Sequence, residues 1–228
     1  MHPHPRPPVP DAVYRLPPCG RFLYVSNVNL TAASSISAYA VDAGSGVLTA
    51  VAGSPFSPGS NPLSLVIDPI GRFLYVATYG PLNYGSGGVS AYAISTTSGA
   101  LTPITPFFRL SSLYSAGTGS NSVAVDPSGK FLYVANEISN DISMFTIDAS
   151  SGALTALAGS PFPATGAGPH SIIVDASGKF AYVVNEISND ISAYALDTAS
   201  GAITAVVGSP MPNGVGNGPR SMRISVTP

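Results

Sequence analysis

One phrase returns four times along the chain, and it limits the possible folds more than any other feature. It reads Gly20-Arg-Phe-Leu-Tyr-Val-Ser-Asn27, Gly71-Arg-Phe-Leu-Tyr-Val-Ala-Thr78, Gly129-Lys-Phe-Leu-Tyr-Val-Ala-Asn136 and Gly178-Lys-Phe-Ala-Tyr-Val-Val-Asn185, at spacings of 51, 58 and 49 residues. A short apolar run ending in a turn comes before it: Leu65-Val-Ile-Asp-Pro69, Val123-Ala-Val-Asp-Pro127 and Ile172-Ile-Val-Asp-Ala176. An alternating segment comes after it, as in Ile36-Ser-Ala-Tyr-Ala-Val41 and Ile191-Ser-Ala-Tyr-Ala-Leu196. A Ser-Gly turn then opens a fourth run: Gly46-Val-Leu-Thr-Ala50, Gly99-Ala-Leu-Thr-Pro103, Gly152-Ala-Leu-Thr-Ala156 and Gly201-Ala-Ile-Thr-Ala205. The runs are rich in Val, Ile, Tyr, Phe and Thr, which suit a pleated surface. Between the first two runs, proline presets φ and glycine accepts positive φ, the chemistry of a tight turn.

Four short strands per unit, repeated at this period, form the pattern of a β-propeller blade. A lone blade leaves both faces apolar, so blades must stack. The chain therefore reads as all-β: a β-propeller of four-stranded antiparallel blades, about four of them, with repeats near 20–56, 62–106, 120–162 and 169–210. Tyr24, Tyr75, Tyr133 and Tyr182 recur at one blade position and are expected between blades. The chain finishes Gly218-Pro-Arg-Ser-Met-Arg-Ile-Ser-Val226, which matches the innermost strand beginning Gly168-Pro-His-Ser171. A closing strand over 219–227 is thus predicted to pair with the N-terminal strands and remove an open edge. Asp11 to Leu16 is a rival innermost strand. If the ring is incomplete, two copies would hide the open edges as a homodimer. Residues 1–10 contain five prolines and read as an extended tail.

Charge narrows the function classes. Lys and Arg number 9 and Asp and Glu 11, for a net charge of −2. No basic stripe exists to track phosphates, so nucleic acid is not an expected partner. The 45% hydrophobic content is enough to fill a core. The single cysteine, Cys19, rules out an internal disulfide or a Cys-rich zinc site. No apolar run approaches the ~18 residues of a membrane span. The N-terminus has no apolar signal-peptide region; the protein is expected in the cytoplasm if the chain is complete, and outside it if a leader precedes it. Phosphate-loop, nucleophile-elbow and His-Glu-x-x-His patterns are absent, and neither a metal nor a cofactor is called for.

Strand alternation places two sets of turns on one face of the disc. The turn leading into the innermost strand offers Leu63, Asn121, His170 and Arg220. The turn after the second strand offers Val28, Tyr79, Glu137 and Glu186. These should converge on the mouth of a central channel, a concave place with few polar groups. Glu137 and Glu186 each open the string Glu-Ile-Ser-Asn-Asp, which by itself is also a good solvated turn. One insertion, 103–119, carries Phe107, Phe108, Arg109 and Tyr114, which could cap the mouth as a lid or cover an open edge.

The phrase Phe131-Leu-Tyr-Val-Ala-Asn136, the block Gly166-Ala-Gly-Pro-His-Ser171, Tyr182-Val-Val-Asn-Glu-Ile187 and Gly216-Asn-Gly-Pro219 resemble the seven-bladed lactonase family of propeller-type 6-phosphogluconolactonases, and the related YVTN-repeat propellers. A seven-bladed ring at this period needs roughly 350 residues, so the chain is a shortened or incomplete relative. The resemblance implies hydrolysis of a sugar lactone such as 6-phosphogluconolactone, a carboxylic ester, with Glu186, Arg220 and His170 as catalytic residues and Asn121, Glu137 and Tyr79 as substrate contacts. Glu186 in Val-Asn-Glu and Arg220 in Gly-Pro-Arg keep the family context. His170 and Asn121 stand where the family often carries Arg and His. Lactone hydrolysis needs a base for water and a cation for the developing oxyanion. The alternative is a non-catalytic YVTN-type propeller, a binding or scaffold module for a protein or glycan ligand.

Overall fold

The computed structural model describes residues 21–29, 33–59, 61–80, 86–104, 113–214 and 218–225. The segments 1–10 and 11–16, Cys19, and Phe107, Phe108 and Arg109 lie outside the described residues.

Every described element is a strand, and the strands group into four antiparallel sheets along the chain. Blade 1 holds β1 (Phe22–Asn27), β2 (Ser35–Val41) and β3 (Leu48–Ala50). Blade 2 holds β4 (Pro62–Ile67), β5 (Phe73–Thr78), β6 (Ser86–Ile94), β7 (Leu101–Ile104) and β8 (Leu113–Thr118). Blade 3 holds β9 (Ser120–Val125), β10 (Phe131–Asn136), β11 (Asp141–Ile147), β12 (Leu154–Ala156) and β13 (Phe162–Pro163). Blade 4 holds β14 (Pro169–Val174), β15 (Phe180–Asn185), β16 (Asp190–Leu196), β17 (Ile203–Ala205) and β18 (Met211–Pro212). Each is a meander, with the repeated Phe-Leu-Tyr-Val phrase as its second strand; in blade 1 that strand is β1.

The outermost strand is split in two, a detail the repeat alone does not reveal. In blades 3 and 4, β12 and β13 share the edge of β11, and β17 and β18 share the edge of β16. A Gly-Ser-Pro turn interrupts the ladder, and its serine fills the gap. Ser160 Oγ accepts the Met144 N–H at 2.8 Å, while Ser54 and Ser209 accept Ala38 and Ala193 at 2.9 Å. The backbone donors left by the missing carbonyls are thus satisfied. Blade 2 uses β8 in the same place, paired with β6. Tyr114 on β8 is buried in the core between blades 2 and 3, so it serves the sheet edge and not a lid.

Blades stack through a repeated lock. The Phe and Tyr of the phrase face the next blade in sequence, where they meet the glycine that opens its fourth run. Tyr24, Tyr75 and Tyr133 donate through Oη to the carbonyls of Gly99, Gly152 and Gly201, at 2.8, 3.0 and 3.0 Å. The rings of Phe22, Phe73 and Phe131 fill the space where those glycines lack a β-carbon. The glycines also have φ of 74°, 73° and 75°, a conformation that side chains disfavour. The other face of the second strand presents Leu74 and Val76 in blade 2, Leu132 and Val134 in blade 3, and Ala181 and Val183 in blade 4 to the preceding blade, so three apolar clusters form, one per junction.

The predicted closing strand is the one part of the architecture that differs. Among the described residues blade 1 has three strands, and residues 218–225 form no strand. They stay beside blade 4, where Arg220 is bonded to Glu186 and His170. The inner edge of β1 belongs to the opposite end of the stack, and these polar bonds hold the segment where the chain leaves blade 4.

Candidate functional site

Three of the site positions are aimed by the same backbone device. At the start of each inner strand the register slips by one residue, between Pro62 and Ser64, Ser120 and Ser122, and Pro169 and Ser171. The extra residues are Leu63, Asn121 and His170. A bulge re-aims the side chain it adds, here away from the sheet and toward the inner end of the blades. The residue preceding each bulged stretch has positive φ: Asn61 at 51°, Gly119 at 73° and Gly168 at 69°. Its carbonyl accepts the backbone N–H of the first residue past the second strand. These bonds are Tyr79 to Asn61 at 2.9 Å, Glu137 to Gly119 at 2.8 Å and Glu186 to Gly168 at 2.8 Å. The two turns of each blade are therefore tied together, and their side chains share one place.

That place is an open cleft of about 510 Å³, lined by Val28, Asn61, Leu63, Tyr79, Asn121, Glu137, His170, Glu186 and Arg220. The six sequence-derived site residues, Glu186, Arg220, His170, Asn121, Glu137 and Tyr79, all reach it, and all four blades contribute. Asn61 is the lining residue that the sequence reading missed. Its signal was Asn61-Pro62 standing where the later repeats have Gly168-Pro169, since asparagine tolerates the same left-handed backbone. Its Nδ2 donates to the Gly80 carbonyl at 2.7 Å.

Polar groups in the cleft form two sets. In the first, Arg220 donates through Nε and Nη2 to the same oxygen, Glu186 Oε1, at 2.9 and 2.5 Å. Glu186 Oε2 faces His170 Nε2 at 3.5 Å. His170 Nδ1 lies 3.1 Å from the Arg220 carbonyl. A carbonyl only accepts, so Nδ1 carries a proton, and Nε2 is a lone pair in the neutral ring and a donor in the imidazolium. In the second set, Asn121 Nδ2 donates to Glu137 Oε2 at 2.7 Å. The Arg220 side chain is 70% exposed and that of Glu186 21%, so this ion pair lies at the cleft surface and is screened by water. Among the described residues, no group of three or more His, Cys, Asp or Glu side chains could hold a metal ion.

A second layer fixes the loop that bears each glutamate. Asn136 Nδ2 donates to Asp141 Oδ1 at 2.6 Å and Ser143 Oγ at 2.9 Å, and Asn185 repeats this with Asp190 at 2.6 Å and Ser192 at 2.8 Å. Asn140 and Asn189 turn the hairpins with φ of 55° and 56°.

Stacked four-stranded blades, with a cleft at their inner turns, define a β-propeller. The family model described as "Lactonase, 7-bladed beta-propeller" matches residues 11–112 and 82–216, and the chain belongs to that family. A 6-phosphogluconolactonase of Formosa agariphila is 36% identical over 93 residues, 40% of this chain and 23% of that protein. The crystal structure of a candidate 6-phosphogluconolactonase from Bacteroides uniformis superposes with a TM-score of 0.69 at 22% identity, covering 86% of this chain and 53% of that one. A second, from Bacteroides fragilis, gives 0.68 at 25% identity, covering 87% and 53%. The chain thus spans about half the length of these solved relatives.

Proposed function

We propose that the chain hydrolyses the cyclic ester of a sugar lactone at this cleft. The observation that carries the reading is the Glu186 carboxylate, with one oxygen clamped by Arg220 and the other directed at His170. Oε1 is committed to the guanidinium, and Oε2 is the oxygen that takes a proton from water. The water oxygen bonds to the lactone carbonyl carbon, and negative charge grows on the carbonyl oxygen. Arg220 stabilises that charge with N–H groups not used by Glu186, and His170 lines the cleft beside the carboxylate. The ring C–O bond then breaks, and the leaving alkoxide takes the proton back from Glu186. The product is the open-chain hydroxy acid. Asn121, Glu137 and Tyr79 contact the sugar hydroxyls.

The test is the rate of acid release from 6-phosphogluconolactone and from its unphosphorylated counterpart, above spontaneous opening. Glu186→Gln is expected to lower the enzymatic rate about 10²–10⁴-fold. Equal rates for the wild type and Glu186→Gln would eliminate the reading and leave a binding module.

A further inference from the structure

We infer that Asn140, on the β10–β11 hairpin of blade 3, is a positioning residue for the Glu186–His170 pair of blade 4, an inference that rests on the hydrolytic reading of the cleft. Asn140 does not line the cleft. It acts across the blade junction, through Gly168.

Asn140 Oδ1 accepts the Gly168 N–H at 2.7 Å, across 28 residues of chain. The carbonyl of the same glycine accepts the Glu186 N–H at 2.8 Å. Gly168 is thus held on one side by blade 3 and on the other by the backbone of the glutamate. Two residues later the bulge turns out His170. Gly168 has little freedom of its own: its φ is 69°, and a β-carbon there would lie 2.6 Å from Ile187 Cγ1. Ala167 is tied to the same turn. Its carbonyl accepts the N–H groups of Ile187 and Ser188 at 3.1 Å, and its N–H donates to Ser188 Oγ at 2.8 Å. Residues 167–170 and the turn 186–188 therefore shift together or not at all. Asn140 fastens them to blade 3, and its own carbonyl holds the same connection again by accepting the Ala164 N–H at 3.0 Å.

A twin residue separates this role from turn formation. Asn189 turns the β15–β16 hairpin with φ of 56°, against 55° at Asn140. Its carbonyl accepts the Asn213 N–H at 3.2 Å, as that of Asn140 accepts Ala164. Its Oδ1, however, is buried without a partner among the described residues. The hairpin therefore forms without using the side-chain oxygen. A left-handed turn accounts for asparagine at both positions, and the bond to Gly168 is a further use of it at Asn140. That use bears on the chemistry because Glu186 Oε2 and His170 Nε2 stand 3.5 Å apart. Both are carried by the segments that Gly168 joins, and a displacement of about 1 Å at a reacting group costs on the order of 10²-fold in rate.

Two substitutions isolate the bond. Asn140→Gly keeps the left-handed turn and removes the acceptor, whereas Asn140→Asp keeps both. Lactone opening is measured well below each variant's melting temperature, with 6-phosphogluconolactone or its unphosphorylated counterpart, whichever reacts faster. Asn140→Gly should lower kcat about 10–100-fold with KM within about twofold, and Asn140→Asp should restore kcat to within about threefold of wild type. An unchanged kcat in Asn140→Gly, or an equal loss in Asn140→Asp, would overturn the inference. A second readout needs no turnover. In assigned amide NMR spectra, Asn140→Gly should move the Gly168, Glu186 and His170 signals and speed exchange of the Gly168 proton at least about tenfold, while Asn140→Asp leaves them near wild type. Unmoved signals in Asn140→Gly would overturn it too. If the wild type opens neither lactone, the hydrolytic reading falls, and the NMR comparison alone decides whether Asn140 places the pair. Asn140→Ser, one atom shorter in reach, gives the same comparison if the glycine variant fails to fold.

Discussion

The Tyr133 hydroxyl of one blade donates to the carbonyl of Gly201 in the next at 3.0 Å, across 68 residues of chain. This bond and the Phe131 ring beside it fix the angle between blades 3 and 4. A side chain at Gly201 would strike that ring and would also be forced into φ of 75°. Gly201→Ala should therefore destabilise the fold by more than about 2 kcal/mol, combining overpacking with backbone strain. Gly159→Ala is the control. It has a similar φ of 83° but open space around it, so it should show the strain alone. Urea unfolding of the two variants separates the contributions.

The same locks predict weakness in alkali. Burial pushes the Tyr24 hydroxyl up to about 12 from its ordinary 10.0, and burial likewise raises Tyr75 and Tyr133. A group that holds its proton more tightly when folded contributes stability below its unfolded pKa and loses it as pH rises through the folded value. The melting temperature should therefore hold steady up to about pH 10 and fall between about 10 and 12. A Tyr24→Phe chain should start lower, by the loss of one buried hydrogen bond worth about 1 kcal/mol, and fall less steeply. Thermal melts across that range decide it; an unchanged slope would separate these hydroxyls from the effect.

Much of this was legible in the sequence because the repeat multiplies each signal. Four copies of one phrase fixed the blade, and equivalent turn positions in successive blades named nearly the whole lining of the cleft. Tyr75 and Tyr133 were placed between blades by recurrence alone. What escaped depends on partners distant in the chain. The bond from Arg220 to Glu186 spans 34 residues and joins blade 4 to the segment that follows it. The sequence of residues 219–227 favours a strand, but a strand also needs a free edge within reach, and the matching edge on β1 is at the other end of the stack. The bulges at Leu63, Asn121 and His170 depend on register, which a run of alternating residues does not display.

The Asn121–Glu137 pair should act on binding and not on chemistry. It sits in the cleft with its own 2.7 Å bond, apart from the Glu186 cluster. If the cleft takes a sugar, Asn121→Leu leaves Glu137 without its donor and removes a hydrogen-bonding group from the lining. The expected outcome is a KM raised about tenfold with kcat within about twofold of wild type, the pattern of lost uniform binding. Steady-state kinetics with the better of the two lactones reads the split. A kcat loss as large as that of Glu186→Gln would move this pair into the reacting group.

Blade 4 carries a defect that its neighbour repairs. In blade 3, Ser120 Oγ donates to Asn136 Oδ1 at 2.8 Å, completing the bonds of a fully buried asparagine. In blade 4 the counterpart of Ser120 is Pro169, which has no donor, and Asn185 Oδ1 is buried without a partner. An unsatisfied buried acceptor costs about 1–3 kcal/mol, while replacing a proline costs about 0.4–1 kcal/mol through the unfolded chain. Pro169→Ser should thus stabilise the protein by roughly 1 kcal/mol, because the first effect exceeds the second. The control is a double-mutant cycle with Asn185→Ala, in which the gain from Pro169→Ser should vanish because there is no longer an acceptor to satisfy. A gain that persists in the Asn185→Ala background would assign the effect to the backbone of the bulge beside His170.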